Sequence, residues 1–128
     1  MKLVRDPGSD EVELTASADE LTRLADAVAD GAGLLGSAAP PDDGAARAIE
    51  VGTTPGPGVL VYLDSERRVL VISGDDAARA VLADNLRAVA SAEDGGHLHL
   101  DHYPGHFYLA EGSVPVVVTS PHGGMPAR

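Results

Sequence analysis

Val59-Leu60-Val61-Tyr62-Leu63 and Val69-Leu70-Val71-Ile72 are two nearly continuous aliphatic runs, separated by the polar stretch Asp64-Ser65-Glu66-Arg67-Arg68. Runs of this length and composition are typical of strands, and a short polar segment between two of them predicts a β-hairpin. Because neither run alternates with polar residues, both are predicted to be central strands, covered on both faces or packed by helices on at least one.

A helix is predicted on each side of this hairpin. Ser17 stands three residues before Glu20 as a capping box, and the helix that begins there is predicted to end at Gly31. Its apolar residues recur at three- and four-residue spacing: Leu21, Leu24, Ala25 and Val28. The second helix is predicted to open at Gly74, Asp75 and Asp76, where acids suit the helix dipole, and to end at Gly95-Gly96. Its predicted buried stripe is Ala78, Val81, Leu82, Leu86 and Val89, and Arg79 is predicted to lie mainly elsewhere, on the surface of the helix.

Further strands are predicted over residues 11–15, 46–51 and 114–119, and in the histidine-rich stretch that starts at residue 97. The order is strand, helix, three strands, helix, two strands. This order predicts an α+β fold with a mainly antiparallel sheet of about five to six strands and two helices packed on one face. Residues 1–128 form a single predicted domain, with a flexible loop at 33–44 and a frayed tail from about residue 121.

The composition narrows the classes of partner. The formal net charge is −11, which disfavours nucleic acid and anionic membranes and favours encounter with a basic partner. The chain has no cysteine, no apolar leader and no apolar run of about 20 residues, so a cytoplasmic protein without a membrane helix is expected. The sequence does not indicate an oligomeric state.

The stretch His97-Leu98-His99-Leu100-Asp101-His102-Tyr103-Pro104-Gly105-His106-Phe107-Tyr108 holds four of the five histidines, two of the three tyrosines and the only phenylalanine. In an extended strand His97, His99, Asp101 and Tyr103 would share one face, while Leu98 and Leu100 would face the helices. Concentrating such side chains in one place favours a recognition surface. The predicted partner-binding residues are His97, His99, Asp101, Tyr103, His106, Phe107 and Tyr108.

The same stretch also permits a metal site. His-x-His-x-Asp-His resembles the metal-binding signature of the metallo-β-lactamase superfamily, and imidazole and carboxylate suit zinc. In that superfamily the motif follows a buried strand and is completed by ligands far downstream, whereas only 26 residues follow His102 here. No catalytic residue and no cofactor are therefore predicted. The alternative is a zinc-binding protein or small metal-dependent hydrolase that uses His97, His99, Asp101 and His102.

The C-terminal pattern resembles one known family. It consists of His97-x-His99-x-Asp101, then Tyr103-Pro104-Gly105-His106 and Tyr108-Leu109, then Ser113-Val114-Pro115-Val116-Val117-Val118. Over roughly residues 95–120 this pattern is similar to the immunity protein 32 family of bacterial polymorphic-toxin systems. The resemblance implies a small protein that is not an enzyme, and that binds and neutralises a cognate toxin made by the same cell.

Overall fold

The computed structural model describes residues 2–5, 11–36, 48–64, 66–91, 96–100, 109–110 and 112–120. The helices are α1 (Ala18–Asp30) and α2 (Asp76–Ala90). The strands are β1 (Lys2–Arg5), β2 (Val12–Thr15), β3 (Gly33–Gly36), β4 (Ala48–Thr53), β5 (Val59–Asp64), β6 (Val69–Gly74), β7 (Gly96–Leu100) and β8 (Val116–Ser120). The predicted α+β class and the predicted order of helices and strands are confirmed, with β1 and β3 added.

The strands form two four-stranded sheets, and not the single sheet of five to six strands that the sequence predicted. Sheet A has the order β1-β2-β8-β7 and sheet B the order β3-β4-β6-β5. In each sheet two antiparallel pairs meet through one parallel central pairing, β2 with β8 and β4 with β6. Antiparallel pairing therefore dominates, as predicted. Hydrophobic runs identify strands but do not reveal which strands pair, which is why the division into two sheets was missed.

One hydrophobic core unites both sheets and both helices. Each sheet turns one face inwards, and α1 and α2 pack against one another and against these inner faces. The α1 residues predicted for the buried stripe are all buried: Leu21, Leu24, Ala25 and Val28. No helix within the described ranges is long and apolar enough to cross a membrane.

The local signals around the helices are confirmed in detail. At the start of α1 the Ser17 backbone N–H donates to Glu20 Oε1 at 2.9 Å, and the Glu20 N–H donates to Ser17 Oγ at 3.2 Å. Gly31 follows α1 with φ of 81°, a left-handed conformation that glycine adopts without steric cost. Helix α2 begins after Asp75 as predicted, but it ends at Ala90 instead of extending to Gly95, and Gly96 already belongs to β7.

Several strand predictions need correction. Residues 33–36 form an edge strand, β3, although 33–44 was predicted as a loop. Two leucines between two glycines are too few to show an alternation, and the strand exists because it pairs with β4. Strand β8 lies between β2 and β7 and is not an edge. The strand predicted over 114–119 begins at Val116, directly after Pro115, and ends at Ser120. Residues 37–47 and the tail from 121 lie outside the described residues.

The hairpin of β5 and β6 is confirmed, with Val61 opposite Ile72 and Tyr62 opposite Val71. The four residues of the second run, Val69 to Ile72, are buried, so β6 is the predicted central strand. Strand β5 is the last strand of sheet B and not the central strand that was predicted, and Tyr62 on its outer face is 39% exposed.

Asp75 fastens the β4–β5 connection to the start of α2. Its carboxylate accepts hydrogen bonds from the backbone N–H groups of Ala78 at 2.8 Å and Gly58 at 3.1 Å. These two bonds stabilise the charged form and hold the pKa of Asp75 below its ordinary value of 3.8.

Replacing this carboxylate should change the pH dependence of stability. A lowered folded-state pKa gives a contribution that is present above the unfolded-state pKa and lost as pH falls through the folded-state pKa. We therefore expect Asp75→Asn to be less stable than the wild type at neutral pH, with the gap closing as the solution is acidified below about pH 4. Urea denaturation of both proteins across this range measures the gap. A gap that stays constant down to acid pH would contradict this role of the charge.

Candidate protein-binding site

Strand β7 places the start of the histidine-rich stretch at one edge of sheet A. In its antiparallel register with β8, His97 lies opposite Thr119, His99 opposite Val117 and Leu100 opposite Val116. Leu100 is 3% exposed and Leu98 packs against the core, whereas His99 is exposed. The predicted alternation, with leucines inwards and His99 outwards, is confirmed for these residues.

The outer face of sheet A is mainly polar around His99. Val117 on β8 lies between His99 on β7 and Glu13 on β2 in the paired register. Glu13 and His99 are both exposed, and Val117 is half-buried. An acid, an imidazole and a partly accessible aliphatic side chain thus form a row across three strands. Such a row offers hydrogen-bonding and apolar contacts to another protein.

The segment after the histidine-rich stretch is fastened to both sheets. Leu109 forms an isolated parallel bridge with Val59, and the Ala110 N–H donates to the Val59 carbonyl at 2.7 Å. The Val114 N–H donates to the Val61 carbonyl at 2.8 Å, so this segment runs along the edge of β5 in sheet B. Immediately afterwards the Pro115 carbonyl accepts from the Val12 N–H of β2 in sheet A at 2.9 Å. The described residues of this segment, 109–110 and 112–115, therefore tie the two sheets together.

The described residues on either side of 101–108 belong to the core. Leu100 before this stretch and Leu109 after it are both buried in the same core. Of the predicted partner-binding residues, Asp101, Tyr103, His106, Phe107 and Tyr108 lie outside the described residues, as does the side chain of His97. His99 is the predicted site residue whose exposure the structure gives, and its neighbours on the sheet are Val117 and Glu13.

Ser113 is a residue of this region whose role the sequence did not reveal. Its Oγ accepts the Val61 backbone N–H at 3.1 Å and donates to the Val59 carbonyl at 3.3 Å. The hydroxyl thus makes the hydrogen bonds with β5 that the backbone of a neighbouring strand would otherwise make. Ser113 belongs to the C-terminal pattern quoted above. Its place in that pattern was the sequence feature that could have drawn attention to it, although the pattern does not indicate its hydrogen bonds.

Removing this hydroxyl should weaken the link between the sheets. Ser113→Ala leaves the partly buried Val61 N–H without its acceptor, so we expect the free energy of unfolding to fall by about 1–3 kcal/mol. The control is Ser91→Ala, because the Ser91 hydroxyl donates to the Arg87 carbonyl at the exposed end of α2. That change should stay within about 0.5 kcal/mol. Equal effects of the two substitutions in urea denaturation would be inconsistent with the proposed link.

The predicted zinc alternative is not supported. Among the described residues no group of three or more His, Asp or Glu side chains could hold a metal ion. The side chains of His97, Asp101 and His102 lie outside this search, so the zinc site formed with His99 stays a prediction.

A second exposed surface, on the outer face of sheet B, was not predicted. Arg67 in the β5–β6 turn donates to both oxygens of Glu50 at 2.9 and 3.2 Å and to Asp64 at 2.8 Å. Hydrogen bonds from Arg67 lower the pKa of Glu50 and the pKa of Asp64. These charge-assisted hydrogen bonds join the turn to β4 and partly offset the charge of the two acids beside Tyr62.

Comparison with known protein families gives a match over part of the chain. The family model of immunity protein 32 matches residues 69–121. This finding confirms the resemblance predicted from the C-terminal pattern. The resemblance, first stated for roughly residues 95–120, begins further upstream, at residue 69. The comparisons with curated proteins and with solved structures found no match.

The part that matches immunity protein 32 coincides with whole structural elements. It begins at the first residue of β6, contains α2 and β7, and ends one residue after β8. It covers less than half of the chain. The matched strands pair with β2, β4 and β5 outside the match, so the immunity protein 32 region needs the remaining strands to complete both sheets. The candidate surface on β7 and β8 lies inside the matched region.

Proposed function

We propose that this chain is an immunity protein, which binds a cognate bacterial toxin and neutralises it without catalysing a reaction. The observation that carries the proposal is the match of the immunity protein 32 family model to residues 69–121. A protein with this role would act in the cytoplasm of the cell that makes the toxin.

The proposed contact surface is the outer face of β7 with the residues that follow it. It would comprise His97, His99, Asp101, Tyr103, His106, Phe107 and Tyr108. The exposure of His99 beside Val117, in the same row as Glu13, supports this placement. Aromatic and imidazole side chains give a large contact area for few rotatable bonds, which favours their use in protein recognition.

The proposed toxin domain is basic. The net charge of the chain is −11, and the exposed surfaces of both helices carry aspartates: Asp19, Asp26, Asp30, Asp76 and Asp84. The acidic field would accelerate encounter with a basic domain, while the short-range contacts on sheet A would determine how long the complex lasts. The association rate should therefore fall steeply with added salt, and the dissociation rate should change little.

The genes that flank this one are searched first for a toxin domain, and calorimetry with that domain, inactivated by mutation so that it can be purified, tests the proposed surface. We expect a tight one-to-one complex with the wild type and a loss of affinity of roughly a hundredfold for the combined variant His97→Ser, His99→Ser, Tyr103→Ser. The matched control is Tyr62→Ser, which removes an exposed tyrosine from the other sheet. If the combined variant and the control bind as tightly as the wild type, the contact surface lies elsewhere.

A further inference from the structure

Strand β3 presents an accessible backbone at one side of sheet B. Gly33, Leu34 and Gly36 are all exposed, and Leu34 is 68% exposed. A glycine has only backbone atoms, so an exposed glycine in a strand means exposed peptide groups. Among the described residues β3 pairs with β4 alone.

The opposite side of the same sheet is arranged differently. There the N–H groups of Ala110 and Val114 donate to carbonyls of β5, and Ser113 supplies the acceptor for Val61. The chain thus covers the β5 side with its own segment, while β3 remains accessible. An accessible sheet edge is a template for adding a strand, and proteins usually protect such edges with charges or proline. The sequence of β3, Gly-Leu-Leu-Gly, has neither.

A groove lies between β3 and the first half of α1. Its volume is about 290 Å3, and it is lined by Glu20, Arg23, Leu34, Leu35 and Gly36. A strand added to β3 would direct alternate side chains towards this groove, because successive residues of a strand point to opposite faces. Leu34 and Leu35 can pack against an aliphatic side chain in the groove. Glu20 and Arg23 of α1 can form hydrogen bonds or ion pairs with polar residues next to it in the added strand.

We infer that β3 is a second contact site for the toxin. An extended segment of the toxin would pair with β3 as an added strand of sheet B and would insert an aliphatic side chain into the groove. This inference rests on the proposed function. Electrostatics favours this occupant over a second copy of the chain, because two copies would each carry a net charge of −11, whereas a basic segment is attracted. Backbone hydrogen bonds would supply affinity and the groove would supply selectivity.

Two lysine substitutions test the edge. Leu34→Lys changes an exposed side chain, and Gly36→Lys is accommodated because a Cβ atom at Gly36 would meet no atom within 4 Å. Either lysine should weaken binding of the inactivated toxin domain roughly tenfold or more, since a charge on an edge strand opposes strand addition and repels a basic segment. Tyr62→Lys places the same charge on an exposed position of β5 and should bind like the wild type. Thermal denaturation should show that all three variants are folded.

Hydrogen exchange of the complex provides the second measurement. Amide protons of residues 33–36 should exchange more slowly in the complex than in the free protein. Wild-type affinity in both lysine variants, with no protection of β3, would overturn the inference about the edge while leaving the immunity function intact. Failure of the wild type to bind the toxin domain at all would overturn the proposed function and this inference together.

Discussion

Arg79→Ala should lower the free energy of unfolding by about 3–5 kcal/mol, a large part of the stability of a domain of this size. Arg79 is 2% exposed, and its guanidinium joins three elements. It donates to the Gly74 carbonyl at the end of β6 at 3.0 Å, and to the carbonyls of Val28 and Ala29 at 2.9 and 3.0 Å. It also pairs with Asp76 in the first turn of α2.

The physical reason is the unpaired end of α1. The last carbonyls of a helix have no partner within the helix, and a cation there complements the helix dipole. Arg79 meets both needs from the neighbouring helix. Alanine would leave these carbonyls without their donor and would leave a cavity where the side chain packed. Arg79→Lys keeps the charge but cannot form the same fork of bonds, so its stability should lie between those of the other two proteins.

Arg87→Ala is the matched control. Arg87 also connects the helices, through Asp26 at 3.2 Å, and it pairs with Asp84 at 3.5 Å, but its side chain is 45% exposed. An exposed ion pair contributes little, so a loss below about 1 kcal/mol is expected. Urea denaturation monitored by circular dichroism gives both values. Similar losses for Arg79→Ala and Arg87→Ala would show that the buried guanidinium does not hold α1 in place.

Leu100→Ala should destabilise the protein by about 2–5 kcal/mol, whereas the adjacent His99→Ser should change its stability by less than about 0.5 kcal/mol. Leu100 is buried and lies opposite Val116, so its truncation removes core contacts and leaves a cavity. His99 is exposed on the other face of the same strand. The same two substitutions should have the opposite order of effect on toxin binding, because only His99 belongs to the proposed contact surface.

Denaturation and calorimetry on the same two variants separate these roles. Leu100→Ala should remain folded at low temperature and bind the toxin domain with nearly the affinity of the wild type. His99→Ser should melt like the wild type but bind more weakly. A destabilised His99→Ser with unchanged binding would mean that β7 contributes to the core alone.

The features that the sequence predicted correctly depend on residues near one another in the chain. The capping box of Ser17 and Glu20, the acids before α2 and the β5–β6 hairpin are all local arrangements. The inward leucines of β7 also follow from a local rule, the alternation of side chains in a strand. These signals need no knowledge of which distant segments meet.

The features that were missed depend on contacts between distant residues. The strand β3 forms through its pairing with β4, and sheet A forms through the parallel pairing of β2 with β8. From the helical spacing Arg79 was predicted to lie on the surface of α2, and this was wrong, because its partners Val28 and Ala29 lie about fifty residues earlier in the chain. Ser113 likewise bonds to β5 from far along the chain. Periodicity carries no information on such pairings.

The central claim is that this chain neutralises a toxin by binding it, and growth of cells that express the toxin tests it most directly. A toxin domain identified among the flanking genes is induced in a host that lacks this protein, with and without the chain supplied from a second promoter. We expect growth to stop with the toxin alone, to recover with the wild-type chain, and to recover much less with the combined variant His97→Ser, His99→Ser, Tyr103→Ser at equal protein levels. Arrested growth in the presence of abundant, folded wild-type chain would contradict the proposed function.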